Sequence, residues 1–317
     1  MSSTVAASGP AKSRLWKPPI VGLVTFVLMF VGVGLGHTLM VIIEHELGRE
    51  TTLAISPLLG FSGIVMLWYG VKSKNETFQT WIGFFGALMV WMCWVEFFYM
   101  WYGRENFGML PRMSGPDGME VSGTYPEYML MASTVGTLLM MLCFYTFDKD
   151  TRCNMFLWFQ DKLGLRAGLG PSTKTAKDRN YAIITFMETF FVTWFCYSWN
   201  LLTFDPALMG KGSLFLAVNL ASVFIAVIWA GFCLTRLIQF KRTATALRYA
   251  IPVGNIAWVN VEILEKLNLM SHEVFLNPWA YKLEASVLFG AFLTLIALLL
   301  IAPKKPSELG RRATATE

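Results

Sequence analysis

The fold is decided by residues 20–46, IVGLVTFVLMFVGVGLGHTLMVIIEHE, an apolar run that ends in three polar residues. At ~1.5 Å of rise per residue, a helix of about 20 apolar residues crosses the ~30 Å hydrocarbon core of a bilayer. The run contains two of the chain's three histidines, His37 and His45, with Met40 and Glu44 between them. Helical periodicity places these four side chains on one face. The stretch therefore predicts a membrane-spanning helix with a polar end.

The composition extends this prediction to the whole chain. Of 317 residues, 55% are hydrophobic and only 15% are charged, whereas soluble domains are about 25% charged. Similar apolar runs recur, and they predict an all-α integral membrane protein, a polytopic helical bundle of about eight spans. The predicted spans are 20–43, 52–71, 81–102, 128–147, 181–203, 213–237, 249–267 and 284–302. The seventh span is the weakest, because Pro252, Gly254 and Asn255 interrupt it.

Basic residues predict the orientation of these spans. Twenty of the 26 Lys and Arg fall in one set of alternate segments, namely 1–19, 72–79, 148–180, 236–248 and 303–317. Positive charge marks the cytoplasmic side, so both termini are predicted to be cytoplasmic and the protein to lie in the inner (cytoplasmic) membrane. The predicted domain organisation is a tail over 1–19, one transmembrane domain over 20–302 and a tail over 303–317. Residues 153–165 are predicted to form a helix at the inner interface.

Acidic residues and histidines gather on the opposite, outer half. This arrangement predicts a candidate metal site, in which imidazole and carboxylate groups would suit copper, iron or zinc. Its predicted ligands are His37, Glu44, His45, His272 and Glu273. The spacing is not that of a known metal motif, and the alternative is that these are ordinary interfacial residues. The five cysteines show neither CxxC nor CxxCH spacing, so no c-type haem attachment is predicted.

Two carboxylates lie well inside predicted spans, away from the span ends: Glu96 in the third and Glu188 in the fifth. An ionised carboxylate in hydrocarbon is costly, so an intramembrane acid is a candidate functional group. Glu96 is expected near the outer end and Glu188 near the inner end. Because the two depths differ, they are predicted to act separately or in a relay. The alternative for each is a hydrogen bond that joins two helices.

Glycines recur in the first three spans and are interpreted as positions where helices approach closely. They are Gly32, Gly34, Gly36, Gly60, Gly63, Gly83 and Gly86.

The sequence leaves three classes of function open. The first is an integral inner-membrane subunit of a larger complex, of redox or oxygenase type, with an outward-facing polar or metal site. The second is a membrane-embedded metal-dependent enzyme with its site at the outer face. The third is a small-solute or proton-coupled transporter that uses Glu96, Glu188 and the interrupted seventh span. The expected partners are the lipid bilayer and other membrane subunits. No nucleic acid is expected, since the basic residues are spread over several segments.

Overall fold

A computed structural model describes residues 18–99, 101–102, 113–114, 120–121, 134–151, 153–170, 179–204, 209, 212–267, 269, 279, 282 and 286. These residues are almost entirely helical. The helices are α1 (Ile20–Leu47), α2 (Arg49–Lys72), α3 (Glu76–Val90), α4 (Val135–Phe147), α5 (Asn154–Lys162), α6 (Arg166–Leu169), α7 (Tyr181–Phe204), α8 (Ser213–Leu237) and α9 (Thr243–Lys266). A π-helical turn, Trp91–Glu96, continues α3. Two short strands, β1 (Met113–Ser114) and β2 (Glu120–Val121), pair antiparallel.

Helices occupy seven of the predicted spans, and the eighth, 284–302, lies outside the described residues apart from Ser286. Within the described chain, the helices Glu50–Lys72, Glu76–Tyr99 and Ser213–Leu237 are long and apolar enough to cross a membrane. Ile20–Gly34 and Val135–Phe147 are shorter apolar helices. An all-helical membrane protein is therefore supported. The count of eight spans, the cytoplasmic termini and the inner membrane stay predictions.

Helix ends follow local signals in the sequence. Gly48 adopts φ +76°, a conformation that favours glycine, and it separates α1 from α2 by a single residue. The Asn75 side chain caps α3 by accepting a hydrogen bond of 3.1 Å from the Phe78 amide. Gln160 of α5 donates hydrogen bonds to the carbonyls of Thr146 and Asp148, which ties this helix to the end of α4. The position of α5 at the inner interface stays a prediction.

The helices form two groups that share one seam. In the first group α3 packs between α2 and α7, and in the second α9 packs between α1 and α8. The seam is the contact of α7 and α3 with α9 and α1. The extent of burial agrees with this packing. In the most apolar stretch of Glu76–Tyr99, 61% of the residues are buried, whereas the corresponding stretches of α2 and α8 are each 22% buried. The helix formed by α3 and its π turn is therefore interior, whereas α2 and α8 present apolar faces to the surroundings.

Glycines set the distance between these helices, as the sequence predicts. A Cβ atom at Gly63 of α2 would lie 2.6 Å from the carbonyl oxygen of Gly86 on α3. A Cβ atom at Gly83 of α3 would lie 2.5 Å from the carbonyl oxygen of Ala182 on α7. At both positions the backbones of two helices are in direct contact, α2 with α3 and α3 with α7. Any side chain there would push the two helices apart.

The seventh predicted span is not interrupted in the structure. Helix α9 runs without a break through Pro252, and it begins at Thr243, six residues before the predicted start of the span. Gly254 lies against the backbone of α1 at Met29 and Phe30. The Asn255 side chain donates a hydrogen bond of 3.1 Å to the Ile251 carbonyl, within its own helix. Helices α1 and α8 pack against α9 on either side.

Candidate acidic site in the bundle interior

The π-helical turn places Glu96 inside the bundle. A π turn widens the helix so that residues five apart lie above one another. Trp91 and Glu96 have this spacing, and the Trp91 indole N–H donates a hydrogen bond of 3.2 Å to Glu96 Oε2. Trp91 is 1% exposed and Glu96 is 5% exposed. The carboxyl is thus fixed by a buried indole within its own helical turn.

Helix α9 carries a second pair of the same kind. The Trp258 indole N–H donates a hydrogen bond of 2.8 Å to Glu262 Oε1, across the ordinary four-residue spacing of an α-helix. Trp258 also covers Gly34 of α1, where a Cβ atom would come within 2.7 Å of its ring. Close packing of α1 and α9 therefore holds the second indole in place, and with it the Glu262 carboxyl.

Both carboxyls line one small cavity at the seam between the two helix groups. Its volume is about 40 Å³, which is room for about one water molecule or a small ion. The π turn and helices α1, α7 and α9 each contribute to its wall. The lining residues are Val33, Trp91, Met92, Glu96, Thr193, Cys196, Tyr197, Asn200, Asn255, Trp258, Val259 and Glu262.

Oxygen atoms dominate the polar lining of this cavity. The Thr193 hydroxyl donates a hydrogen bond of 3.2 Å to Asn255 Oδ1. Asn200 is 3% exposed, and its Oδ1 has no hydrogen-bond donor within reach in the described protein. Of the lining residues, all in the described part of the chain, none is lysine or arginine. The polar lining of the cavity therefore consists of carboxyl, hydroxyl, amide and indole groups, without a basic side chain.

A second polar layer lies at the other end of the bundle, around Glu76 at the start of α3. Arg248 donates a hydrogen bond of 2.7 Å to Glu76 Oε1 and one of 3.1 Å to the Thr80 hydroxyl. Its guanidinium carbon lies 4.1 Å from the centre of the Tyr181 ring. Arg242 also pairs with Glu76. This layer joins the start of α3 to the first turn of α7 and the second turn of α9.

Of the predicted site residues, one lines the cavity, one lies elsewhere, and the others have side chains outside the described residues. Glu96 lines the cavity, whereas Glu188 does not and instead interacts electrostatically with Arg248. His37, Glu44 and His45 belong to α1, but their side chains are outside the described residues, as are His272 and Glu273. Among the side chains that the structure describes, no three His, Cys, Asp or Glu residues come together. The metal site, with copper, iron or zinc, stays a prediction.

Glu262 and Asn255 are the site residues that the sequence analysis did not connect with Glu96. Glu262 was grouped with the outer acidic residues, and Asn255 with the residues that interrupt the seventh span. In the sequence each of the two acids follows a tryptophan, Glu262 by four residues and Glu96 by five, and these unequal spacings do not indicate a pairing. Only the π turn makes the five-residue spacing equivalent to one helical turn, so that both acids accept a hydrogen bond from the preceding indole.

Replacing Trp91 by phenylalanine is expected to lower the free energy of unfolding by about 2 kcal/mol. The substitution keeps an aromatic ring but removes the N–H that the buried Glu96 carboxyl accepts from, and hydrogen bonds to charged groups contribute about 1.5–3 kcal/mol. The measurement is equilibrium unfolding in mixed detergent micelles. Trp94→Phe is the matched control, since its indole donates to a neutral carbonyl, that of Pro57, and its loss should cost about 1 kcal/mol. Equal losses in the two variants would contradict the assigned role of the Trp91 indole.

Comparison with known proteins assigns neither a family nor a function to the chain. The chain matches no protein-family model, and neither the curated proteins nor the solved structures include a significant match to it.

Proposed function

We propose that the chain is a membrane protein that binds a proton at Glu96 and Glu262 and passes protons across the bilayer. The observation that carries the proposal is the lining of one cavity of about 40 Å³ by both carboxyls. An intramembrane acid is retained where it has a role, because its burial is costly. Two acids at one cavity can share a single positive charge, which lowers that cost.

The size and chemistry of the cavity favour a proton. Each carboxyl has one oxygen bound to an indole N–H, and both residues line the cavity. The remaining polar groups, Thr193, Asn200 and Asn255, offer hydroxyl and amide groups suited to water. A proton carried on one water molecule fits this space. Sodium, a hard cation that also prefers oxygen ligands, is the competing occupant that the experiment has to separate.

The membrane setting of the proposal rests on the predicted topology. In the eight-span arrangement, the cavity lies in the outer half of the bundle and the Arg248 layer lies at the cytoplasmic end. A proton that reaches Glu96 has then crossed more than half of the hydrocarbon thickness. The cavity also lies at the seam between two helix groups, where a small relative movement would open it to one side.

Proton flux into vesicles tests the proposal. The purified chain is reconstituted into liposomes that contain a pH-sensitive dye, and a potassium gradient with valinomycin supplies an inward driving force. We expect acidification well above that of empty liposomes, and at least a tenfold slower rate in Glu96→Gln and in Glu262→Gln. Glu265→Gln, one turn beyond on α9 and outside the cavity lining, is the matched control and should keep the wild-type rate.

Reaction with dicyclohexylcarbodiimide gives an independent measurement. This apolar reagent modifies protonated carboxyls inside membranes, so mass spectrometry should locate the adduct on Glu96 or Glu262 and sodium should not protect either residue. Sodium protection, or flux that follows sodium in place of protons, would replace the proton by a sodium ion. Wild-type vesicles that acidify no faster than empty liposomes would refute proton passage.

The other predicted functions stay predictions. A subunit of a redox or oxygenase complex and a metal-dependent enzyme both depend on the outer histidine cluster, whose side chains are outside the described residues. Metal analysis of the purified wild-type chain and of a His37→Ala, His45→Ala double variant would test them. Stoichiometric metal that the double variant loses would favour the enzyme, and a fixed set of co-purifying chains without metal would favour the subunit.

A further inference from the structure

An apolar groove runs along the exposed surface of the α2–α3 pair. Its volume is about 620 Å³, and only residues of α2 and α3 line it. Most of these residues are apolar, and the hydroxyl of the one serine, Ser62, bonds to the Leu59 carbonyl of its own helix. This α2–α3 groove is therefore suited to an apolar ligand.

The described helices leave the α2–α3 groove open. Three of its large side chains on α2, Leu58, Phe61 and Tyr69, are 70%, 57% and 58% exposed. A continuous apolar surface of this kind is typical of a site that contacts lipid or another protein. An acyl chain can thus lie along both helices without displacing a described side chain from their contact.

The length of the α2–α3 groove matches one leaflet of a bilayer. Tyr69 follows Leu58 by 11 residues, which is ~16 Å along α2 at ~1.5 Å per residue. One leaflet contributes about half of the ~30 Å hydrocarbon core. Tyr69 and Phe78 lie near the loop that joins α2 to α3, and tyrosine is enriched at the membrane interface. A lipid in the groove would therefore have its headgroup at this loop.

Two exposed lysines lie at the same end of the α2–α3 groove. Lys72 is in the last turn of α2, three residues after Tyr69 and therefore on the same side of the helix. Its ammonium nitrogen lies 3.3 Å from the centre of the Trp68 ring. Lys74 is in the loop, four residues before Phe78. Within the described part of the chain, neither lysine forms an ion pair with an acid.

The acid closest to these lysines in the sequence does not cancel their charge. Glu76 pairs instead with Arg242 and Arg248, so the loop keeps the positive charge of Lys72 and Lys74. A lysine near an anionic membrane surface contributes about a fivefold preference for that surface. Basic pockets between membrane helices are typical binding sites of anionic lipid headgroups. The charge at this end of the groove therefore favours an anionic phospholipid over a neutral one.

We propose that the α2–α3 groove binds one anionic phospholipid, with an acyl chain along both helices and its phosphate headgroup at Lys72 and Lys74. The inference goes beyond the proposed function and does not depend on it, because no residue of this groove lines the acidic cavity. In the predicted topology the loop faces the cytoplasm. The lipid then belongs to the cytoplasmic leaflet, where anionic lipids supply a negative surface potential.

The test is native mass spectrometry of the full chain in detergent, after its own lipids have been removed. Phosphatidylglycerol and phosphatidylcholine with identical acyl chains are added in equal amounts. We expect one bound phosphatidylglycerol per chain, with a preference of about tenfold or more over phosphatidylcholine. In a Lys72→Gln, Lys74→Gln double variant this preference should fall to within about twofold, with an unchanged melting temperature in the absence of lipid.

Lys162→Gln is the matched control. It also removes an exposed lysine, on α5, but Lys162 does not belong to the α2–α3 groove. This variant should keep the wild-type preference for phosphatidylglycerol.

A photoreactive phosphatidylglycerol with a diazirine in its acyl chain locates the bound lipid. After irradiation and digestion, adducts should be several times more frequent on residues 58–69 and 78–82 than on α8, an apolar helix as little buried as α2. Unlabelled phosphatidylglycerol in excess should displace the probe. Free glycerol phosphate should not displace it, because it has the anionic headgroup but no acyl chain.

Three results would overturn the proposal. Equal binding of both lipids by the wild type, or a preference that the double variant retains, would refute recognition by the lysines. Adducts no more frequent on α2 and α3 than on α8 would mean that lipid does not occupy the groove, as when the predicted span 284–302 or a second copy of the chain fills it. Displacement by glycerol phosphate would replace the phospholipid by a free phosphate.

Discussion

Replacing Gly83 by valine is expected to lower the free energy of unfolding by about 3 kcal/mol. A Cβ atom at this position would lie 2.5 Å from the carbonyl oxygen of Ala182 and 3.1 Å from Thr185 Cβ. The first of these is a backbone atom of α7, so the clash is relieved only if α3 and α7 separate. Overpacking of this kind typically costs about 1–3 kcal/mol, and a branched side chain against backbone belongs at the upper end.

The matched control for this prediction is Gly231→Val on α8. A Cβ atom at Gly231 has no neighbour within 4 Å, so valine there should change the free energy of unfolding by less than about 0.5 kcal/mol. Denaturant titration in mixed micelles measures both variants. Similar stabilities for the two would mean that α3 and α7 are not in backbone contact in the folded protein.

Replacing Arg248 by glutamine is the second large effect, with an expected loss of about 3 kcal/mol. Arg248 and Glu76 are only 14% and 21% exposed, and Arg248 also bonds to Thr80 and stacks on Tyr181. Removing one partner of a buried pair costs about 3–5 kcal/mol, and partial exposure reduces this to the lower limit. Three helices lose their common contact in this variant.

Arg242→Gln is the comparison, because Arg242 pairs with the same Glu76 but is 46% exposed. An exposed pair contributes about 0–1 kcal/mol, so its loss should be small. Double-mutant cycles with Glu76→Gln isolate the two couplings. A coupling for Arg242 equal to that for Arg248 would contradict the assignment of the second polar layer to Arg248.

Apolar runs located most helices correctly, since a span needs a continuous hydrophobic stretch. The segment 213–237 was predicted to the residue, and 181–203 to within one residue. The start of α9 was missed because the two threonines and the arginine of Thr243–Arg248 lower the mean hydropathy of this segment below that expected of a membrane span. Arg248 was therefore assigned to a loop, although it lies in the second turn of a helix. Its bonds to Glu76 depend on that turn.

The depth of Glu96 could be estimated from its position in a span, but its partner could not. Pairing with Glu262 depends on the π turn, and residues 91–96 carry no periodic signal that distinguishes this turn from an α-helix. It depends also on the close approach of α9 to α1, which Gly34 and Gly254 permit. Both features arise from packing between segments far apart in the sequence. The candidate site therefore depends on tertiary packing, whereas each helix can be predicted from its local sequence.

The π turn also bears on how such a site can originate. A π turn holds one residue more than the α-helical path it replaces, so a single-codon insertion in a gene for a regular helix is enough to create one. The wider turn takes up the extra residue, so the residues before and after it keep the faces that they had in the regular helix. In this chain the packing positions Gly83 and Gly86 lie before the π turn, and Glu96 is the last residue of the turn. A bundle that already packed well could thus gain an inward-facing acid in one mutational event, with its older helix contacts unchanged.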